Sequence, residues 1–204
     1  MVLLYISIAS PLIPLIAGYK NRRTLLWLYV LTGLLFDIAI PTMKRVLHVN
    51  YDWASNLFVL VEFFFLSFYY RDKIFRNKTV FYTVLATLST FFVVQTLRAD
   101  KSIWHFNTYG SCVFCLTYII YCILGMYALL KEQKVIFLDR SPLFWVNVGF
   151  ILYSSGSFLL FLFKIYLQET DMDLLRTLWT AFFLPCNILK NIALAIGLRK
   201  KNAL

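Results

Sequence analysis

Apolar residues run through this chain in long unbroken stretches separated by short polar gaps, and the stretches exceed the length of a strand while lacking the polar face of a soluble surface helix. Taken as helices rising about 1.5 Å per residue, they match a hydrocarbon layer about 30 Å thick. The pattern predicts spans near 2–19, 24–42, 54–70, 79–97, 104–130, 143–163 and 174–197. The first and third are short for a crossing, and the fifth is long enough to tilt or to emerge as an amphipathic turn at Trp104-His105. The expected fold is therefore all-α: a polytopic bundle of seven transmembrane helices occupying residues 1–204 as one domain. The gaps hold no Gly/Ser linker and no low-complexity tract.

Composition agrees, since 61% hydrophobic and 15% charged residues leave too little polar surface for a water-soluble domain. The charges then set the orientation. Of the 20 Lys and Arg residues, 13 fall in alternate gaps: Lys20, Arg22, Arg23; Arg71, Lys73, Arg76, Lys78; Lys131, Lys134, Arg140; and Arg199, Lys200, Lys201. Short cation-rich loops stay cytoplasmic, so the amino terminus is expected outside and the carboxyl terminus in the cytoplasm. The net charge of +10 follows from this topology and from attraction to anionic lipid, which argues against a nucleic-acid partner. The first span has no cation before it and Tyr19-Lys20-Asn21-Arg22-Arg23 directly after, so it is expected to stay as a helix, not to be removed as a leader.

Prolines punctuate the spans. Pro11 and Pro14 should kink or loosen the first, Ser141-Pro142 reads as an N-cap with proline at the first helical position, and Pro185 withholds an amide from the carbonyl of Ala181.

Three charges lie inside the spans: Asp37, Glu62 and Lys190. An ionisable group in hydrocarbon costs several kcal/mol unless paired or watered, so each is a candidate for a ligand or ion pathway. Asp37 is about one turn from the outer end of its helix; Glu62 lies mid-helix, with no short route to water. Asp52, Ser55, Val59, Glu62, Leu66 and Tyr69 recur at spacings of three and four, which predicts a common stripe, with Phe58, Phe64, Phe65 and Phe68 on the remaining surface. The fifth span carries Asn107, Ser111, Cys115, Tyr118, Cys122 and Gly125 on one face, and the sixth carries Asn147, Ser154, Ser157 and Lys164. With Asn56 in the third span and Asn187 and Asn191 beside Lys190, these residues predict a shared polar interior; ordinary interhelical packing by small and amide residues is the alternative reading. A Glu62–Lys190 pair, direct or through water and Asn187, is expected, the two lying about 12 and 24 Å below the outer surface.

Chemistry beyond these charges is sparse. His48 and His105 are too few for a zinc centre, although with Asp52 and Asp100 they could sense pH or hold a metal weakly; no metal, cofactor or catalytic set is expected. Tyr51, Trp53, Trp104 and Tyr109 read as an interfacial belt, and Glu169, Asp171 and Asp173 as a solvated loop favourable to the next helix dipole.

Two resemblances bear on function. Ser111-Cys112-Val113-Phe114-Cys115-Leu116-Thr117-Tyr118 resembles the active-site helix of vitamin K epoxide reductases, which implies quinone-linked thiol chemistry at Cys112 and Cys115. The second cysteine pair of that family has no counterpart, and buried cysteines commonly serve as small apolar residues. Lys190 in the last span is similar in position to the retinal lysine of microbial rhodopsins, but Cys186 stands where their acidic counter-ion would be. Over its whole length, with an aromatic-rich third span and an Asn187-x-x-x-Asn191 last span, the chain resembles small seven-helix inner-membrane proteins of Bacteroidota, which implies a bacterial inner-membrane location and no particular activity. The expectation is a receptor-like sensory or accessory module that binds an unknown small ligand and acts through a signalling partner, with a homo-oligomer allowed. A small transporter or proton-linked channel using Glu62 and Lys190 is the alternative.

Overall fold

The structure, a computed structural model, describes residues 2–98, 105–132 and 138–200. Among them the helices are α1 (Val2–Ala9), α2 (Leu12–Ala17), α3 (Leu25–Thr42), α4 (Asp52–Ile74), α5 (Lys78–Arg98), α6 (Thr108–Glu132), α7 (Pro142–Thr170), α8 (Met172–Leu178) and α9 (Leu184–Arg199), with no strand among the described residues. Six rods are long and apolar enough to cross a membrane: Leu25–Leu47, Asp52–Ile74, Lys78–Arg98, Thr108–Lys131, Pro142–Lys164 and Met172–Arg199. The first expected span is different. Val2–Ala17 is a shorter apolar segment, broken between α1 and α2 where Pro11 has no amide to offer Ser7, whose carbonyl instead accepts from the Ser10 amide at 3.3 Å.

Local chemistry sets the remaining boundaries. Thr24 starts α3 with its hydroxyl accepting from the Trp27 amide (3.4 Å), and Asp171 starts α8 by accepting from the Leu174 amide (2.8 Å), a role beyond the solvated loop expected of it. Ser141-Pro142 does begin α7 with extended backbone at the cap, but the Ser141 hydroxyl makes no capping bond. Wide π-type turns stand beside both mid-rod prolines, Met43–Leu47 just after Pro41 and Trp179–Phe183 just before Pro185. A proline removes one rung of the hydrogen-bond ladder, and a local π turn lets the rods continue around the gap. The first of these rods ends at His48 in left-handed backbone (φ 51°).

α3, α4, α6, α7 and α9 form a ring in which α7 joins α6 to α9 and α4 joins α3 to α6; α1 and α2 close it between α9 and α3, and α5 lies outside against α4 and α6. Two bonds fasten the closing segment, Trp27 Nε1 to the Leu15 carbonyl (3.1 Å) and Asn21 Nδ2 to the Leu198 carbonyl (2.7 Å). Between α4, α5 and α6 the core is a stack of rings, with Phe114 sandwiched by Phe63 at 4.1 Å and Phe92 at 4.8 Å between centroids. Gly149 lets α7 and α9 approach closely, since a Cβ there would meet Ala193 Cβ at 3.1 Å and the Lys190 carbonyl at 3.2 Å. Leu116, Ile120, Ile123, Tyr127 and Leu130 leave an apolar outer face on α6, as expected of a helix beside lipid.

The expected stripe on α4 is rotated. Glu62 and Leu66 are buried as expected, but Phe63, Ser67 and Tyr70 accompany them, whereas Ser55 and Tyr69 are half-buried. Spacings of three and four permit two neighbouring rows, and the ring stack with α5 and α6 selects the row containing Phe63. Phe58, expected against lipid or a neighbouring helix, packs on Phe36 of α3 and borders the central cavity.

Candidate functional site

α3, α4, α7 and α9 bring Tyr29, Glu62, Tyr153 and Lys190 together inside the ring. The Tyr29 hydroxyl donates to Glu62 Oε1 at 2.6 Å, and Lys190 Nζ donates to the Tyr29 oxygen at 3.3 Å. Glu62 and Lys190 are not among the direct ion pairs of the described residues; one phenol bridges them. The ammonium also lies 3.8 Å from the centre of the Tyr153 ring, a cation–π contact in a site that excludes most water. Tyr29, Glu62 and Lys190 are 4%, 4% and 5% exposed, so no charge here reaches the surface. Isolated ions in such a place cost several kcal/mol each, and the phenol lowers that cost by giving both a hydrogen-bond partner. Phe150 and Phe65 hold the Tyr29 ring from two sides, at 5.5 and 6.2 Å.

Next to this chain lies a cavity of about 60 Å3, room for a few waters. Asp37, Gly33, Phe58, Phe183, Asn187 and Asn191 border it with Tyr29 and Lys190. Asp37 is within electrostatic reach of both Lys190 and Glu62. The two asparagines, one turn apart on α9, anchor α1: Asn187 Nδ2 donates to Ser7 Oγ (3.0 Å) and Asn191 Nδ2 to Ser10 Oγ (2.7 Å).

The other polar candidates fall into separate groups. Asn56 and Asn107 fix the start of α6: Asn56 donates to the His105 carbonyl and accepts from the Asn107 amide, both at 2.8 Å, and Asn107 Nδ2 reaches the Phe92 carbonyl (3.0 Å) and Thr96 Oγ1 (2.8 Å) on α5. Asn147 sits nearer the basic end, where its Oδ1 accepts from the Tyr70 hydroxyl at 2.5 Å, with Cys122 Sγ 3.4 Å from that hydroxyl. Ser55 bonds only its own helix, at the Tyr51 carbonyl. Ser154 and Ser157 are fully buried on α7, and Tyr118 is 2% exposed on α6; the Tyr118 and Ser154 hydroxyls have no protein partner among the described residues. Thus Asp37, Glu62, Asn187, Lys190 and Asn191 converge, whereas Ser55, Asn56, Asn107 and Asn147 belong elsewhere.

Tyr29 and Tyr153 are the residues that sequence reading passes over. Tyr29 is four residues inside the start of α3, where an aromatic residue reads as an interfacial anchor, and nothing in its neighbours marks it as polar machinery. Cys112 and Cys115 are unbridged thiols packed on Phe161, and Cys112 borders an apolar groove between α5, α6 and α7. Cys122 and Cys186 are likewise free thiols. His48 is exposed, and His105 offers its carbonyl to Asn56. Asp100, Lys101, Trp104, Lys134 and Lys201 lie outside the described residues. No cluster of three or more His, Cys, Asp or Glu suited to a metal occurs among the described residues. In comparisons with known proteins, no family, curated protein or solved structure matches the chain.

Proposed function

We propose that this chain is a receptor-like membrane module, with Val2–Ala17 completing a set of seven helices, the Asp37 end of the bundle outside, and the basic gaps in the cytoplasm of a bacterial inner membrane. The observation that carries the reading is one-sidedness. The Tyr29–Glu62–Lys190 group meets halfway along α4, and the cavity runs from it along α3 past Gly33 to Asp37, while the end beside the basic gaps is filled by Leu15, Leu26, Leu143, Val146, Leu194 and Leu198. A recess closed below by packed leucines suits binding from one face, with the signal passed on by helix movement to a partner at the basic loops. Mild-detergent extraction with a carboxyl-terminal tag, followed by mass spectrometry, tests this: a stoichiometric kinase or regulator is the expected result, and a clean homo-oligomer would count against it.

A second reading, a small proton-linked transporter or channel, is favoured by the acid–phenol–amine chain from Glu62 through Tyr29 to Lys190, which has the parts of a proton relay. Proton flux into reconstituted vesicles that disappears in Glu62→Gln would establish transport and displace the sensory reading.

A further inference from the structure

The charges around the cavity do not balance. From α3 it receives Asp37 and Tyr29, while Glu62 stands on α4, Cys115 and Tyr118 on α6, Tyr153 on α7 and Lys190 on α9. The closing helices α1 and α2 contribute Ser7, Ser10 and Pro11 there, none of which titrates. With tyrosines and thiol neutral and both carboxyls ionised, two carboxylates share one ammonium, so the group holds one negative charge unless a cation or a proton joins it. Glu62 takes the Tyr29 hydroxyl, whereas no side chain among the described residues donates a hydrogen bond to Asp37. An unbalanced ion at this depth is costly unless a counter-charge joins it.

The neutral groups on the cavity wall favour a cation as that counter-charge. Ser10 Oγ donates its only proton to the Ser7 carbonyl at 2.7 Å, so toward Asn191 it acts as an acceptor, and this fixes which end of the Asn191 amide faces α1. One N–H of each amide is thereby spent on serine, for Asn191 on Ser10 and for Asn187 on Ser7, and each carbonyl oxygen has no donor among the described side chains. Carboxylate and carbonyl oxygens without donors are the ligand set of hard monovalent and divalent cations. The available space, about 60 Å3, suits a small ion with a water or two.

We propose that the cavity beside Asp37 binds one small monovalent cation, a sodium ion or a proton carried by water, which neutralises the Asp37–Glu62–Lys190 group. This deepens the receptor reading by giving the recess its effector, and it rests on the cavity being the working site. Occupancy draws α3 toward α9 through Asp37 and the two asparagines, which changes how firmly α1 is held.

The test is thermal unfolding of the purified full-length chain in detergent, at constant ionic strength, with sodium chloride exchanged for N-methyl-D-glucamine chloride, and at about pH 6 and about pH 9. Sodium occupancy raises the wild-type midpoint in the sodium arm and leaves Asp37→Asn unresponsive. Proton occupancy gives no sodium effect but a midpoint that falls from the lower to the higher pH, a fall absent in Asp37→Asn. A wild-type protein indifferent to both sodium and pH overturns the proposal, as does a response that survives intact in Asp37→Asn. Should Asp37→Asn fail to fold, Asp37→Glu serves: it keeps the charge, and its sodium midpoint or response pH must move. Loss of the partner in the extraction experiment would defeat the receptor reading while leaving the cation response in place, so the two fail separately.

Discussion

Glu62 and Lys190 are joined through one hydroxyl, that of Tyr29, which donates to the carboxylate and accepts from the ammonium. Both charges are buried, and the phenol is the only side chain among the described residues bonded to both. Replacing Tyr29 by Phe keeps the ring against Phe150 and removes only the bridge. We expect a loss of about 2 kcal/mol, read as a lower unfolding midpoint in detergent, because two buried charged groups each lose a partner.

Single neutralisations should cost more. Lys190→Met leaves Glu62 buried without its counter-charge, a loss of about 3–5 kcal/mol, and Glu62→Gln leaves Lys190 with Asp37 as its remaining counter-charge, a loss toward the lower end of that range. The double substitution removes both ions, and its cost is expected to fall well below the sum of the singles. A double-mutant cycle measures this coupling; additive costs would mean that the two groups act independently.

At the α7–α9 contact, Gly149→Leu forces a side chain against Ala193 and the Lys190 backbone. Overpacking of this kind costs about 1–3 kcal/mol, and here it should also shift the pose of Lys190. Midpoint measurements on Gly149→Ala and Gly149→Leu should show a graded fall, with the larger residue worse.

Asn56→Leu removes both bonds that hold the 105–107 segment to α4. Hydrogen exchange at the amides of Asn107 to Ser111 is expected to quicken by about tenfold or more, equivalent to roughly 1.4 kcal/mol of local stability. Exchange at α9 should stay unchanged, since Asn56 does not touch it.

Single cysteines at His48 and Arg76 test the orientation. In a background without the four native cysteines, His48→Cys is expected to react with an impermeant maleimide added outside intact cells, and Arg76→Cys only after lysis. The reverse pattern would invert the assignment of the recess.

Much of the fold was legible because the bilayer leaves few choices: long apolar runs must be helices, and buried charges must face inward. The inward face of α6, from Ser111 through Cys115, Tyr118 and Cys122 to Gly125, follows directly from 3.6-residue periodicity, as do the buried Asn147, Ser154 and Ser157 of α7. Tyr29 was not legible, since a tyrosine near a helix start has two equally physical uses and only the meeting of α3 with α4 decides between them. Phe63 was hidden for a related reason: four successive rows of α4 are apolar or aromatic, so periodicity alone could not fix its rotation. The break at Pro11 was foreseeable as a kink, but the length of the first segment depends on where the bundle needs it to end.

The bonds from Ser7 to Asn187 and from Ser10 to Asn191 connect residues 180 and 181 positions apart. A ribosome adding about 5–20 residues per second would deliver the asparagines roughly 9–36 s after the serines. During that interval α1 and α2 lack α9 and have α3 as an earlier partner, through contacts that include Trp27 Nε1 on the Leu15 carbonyl. Biogenesis of this protein therefore has a late closing step, in which the last helix captures the first. Agents that delay the last helix should leave the amino-terminal segment open to quality-control proteases even when every other rod is inserted.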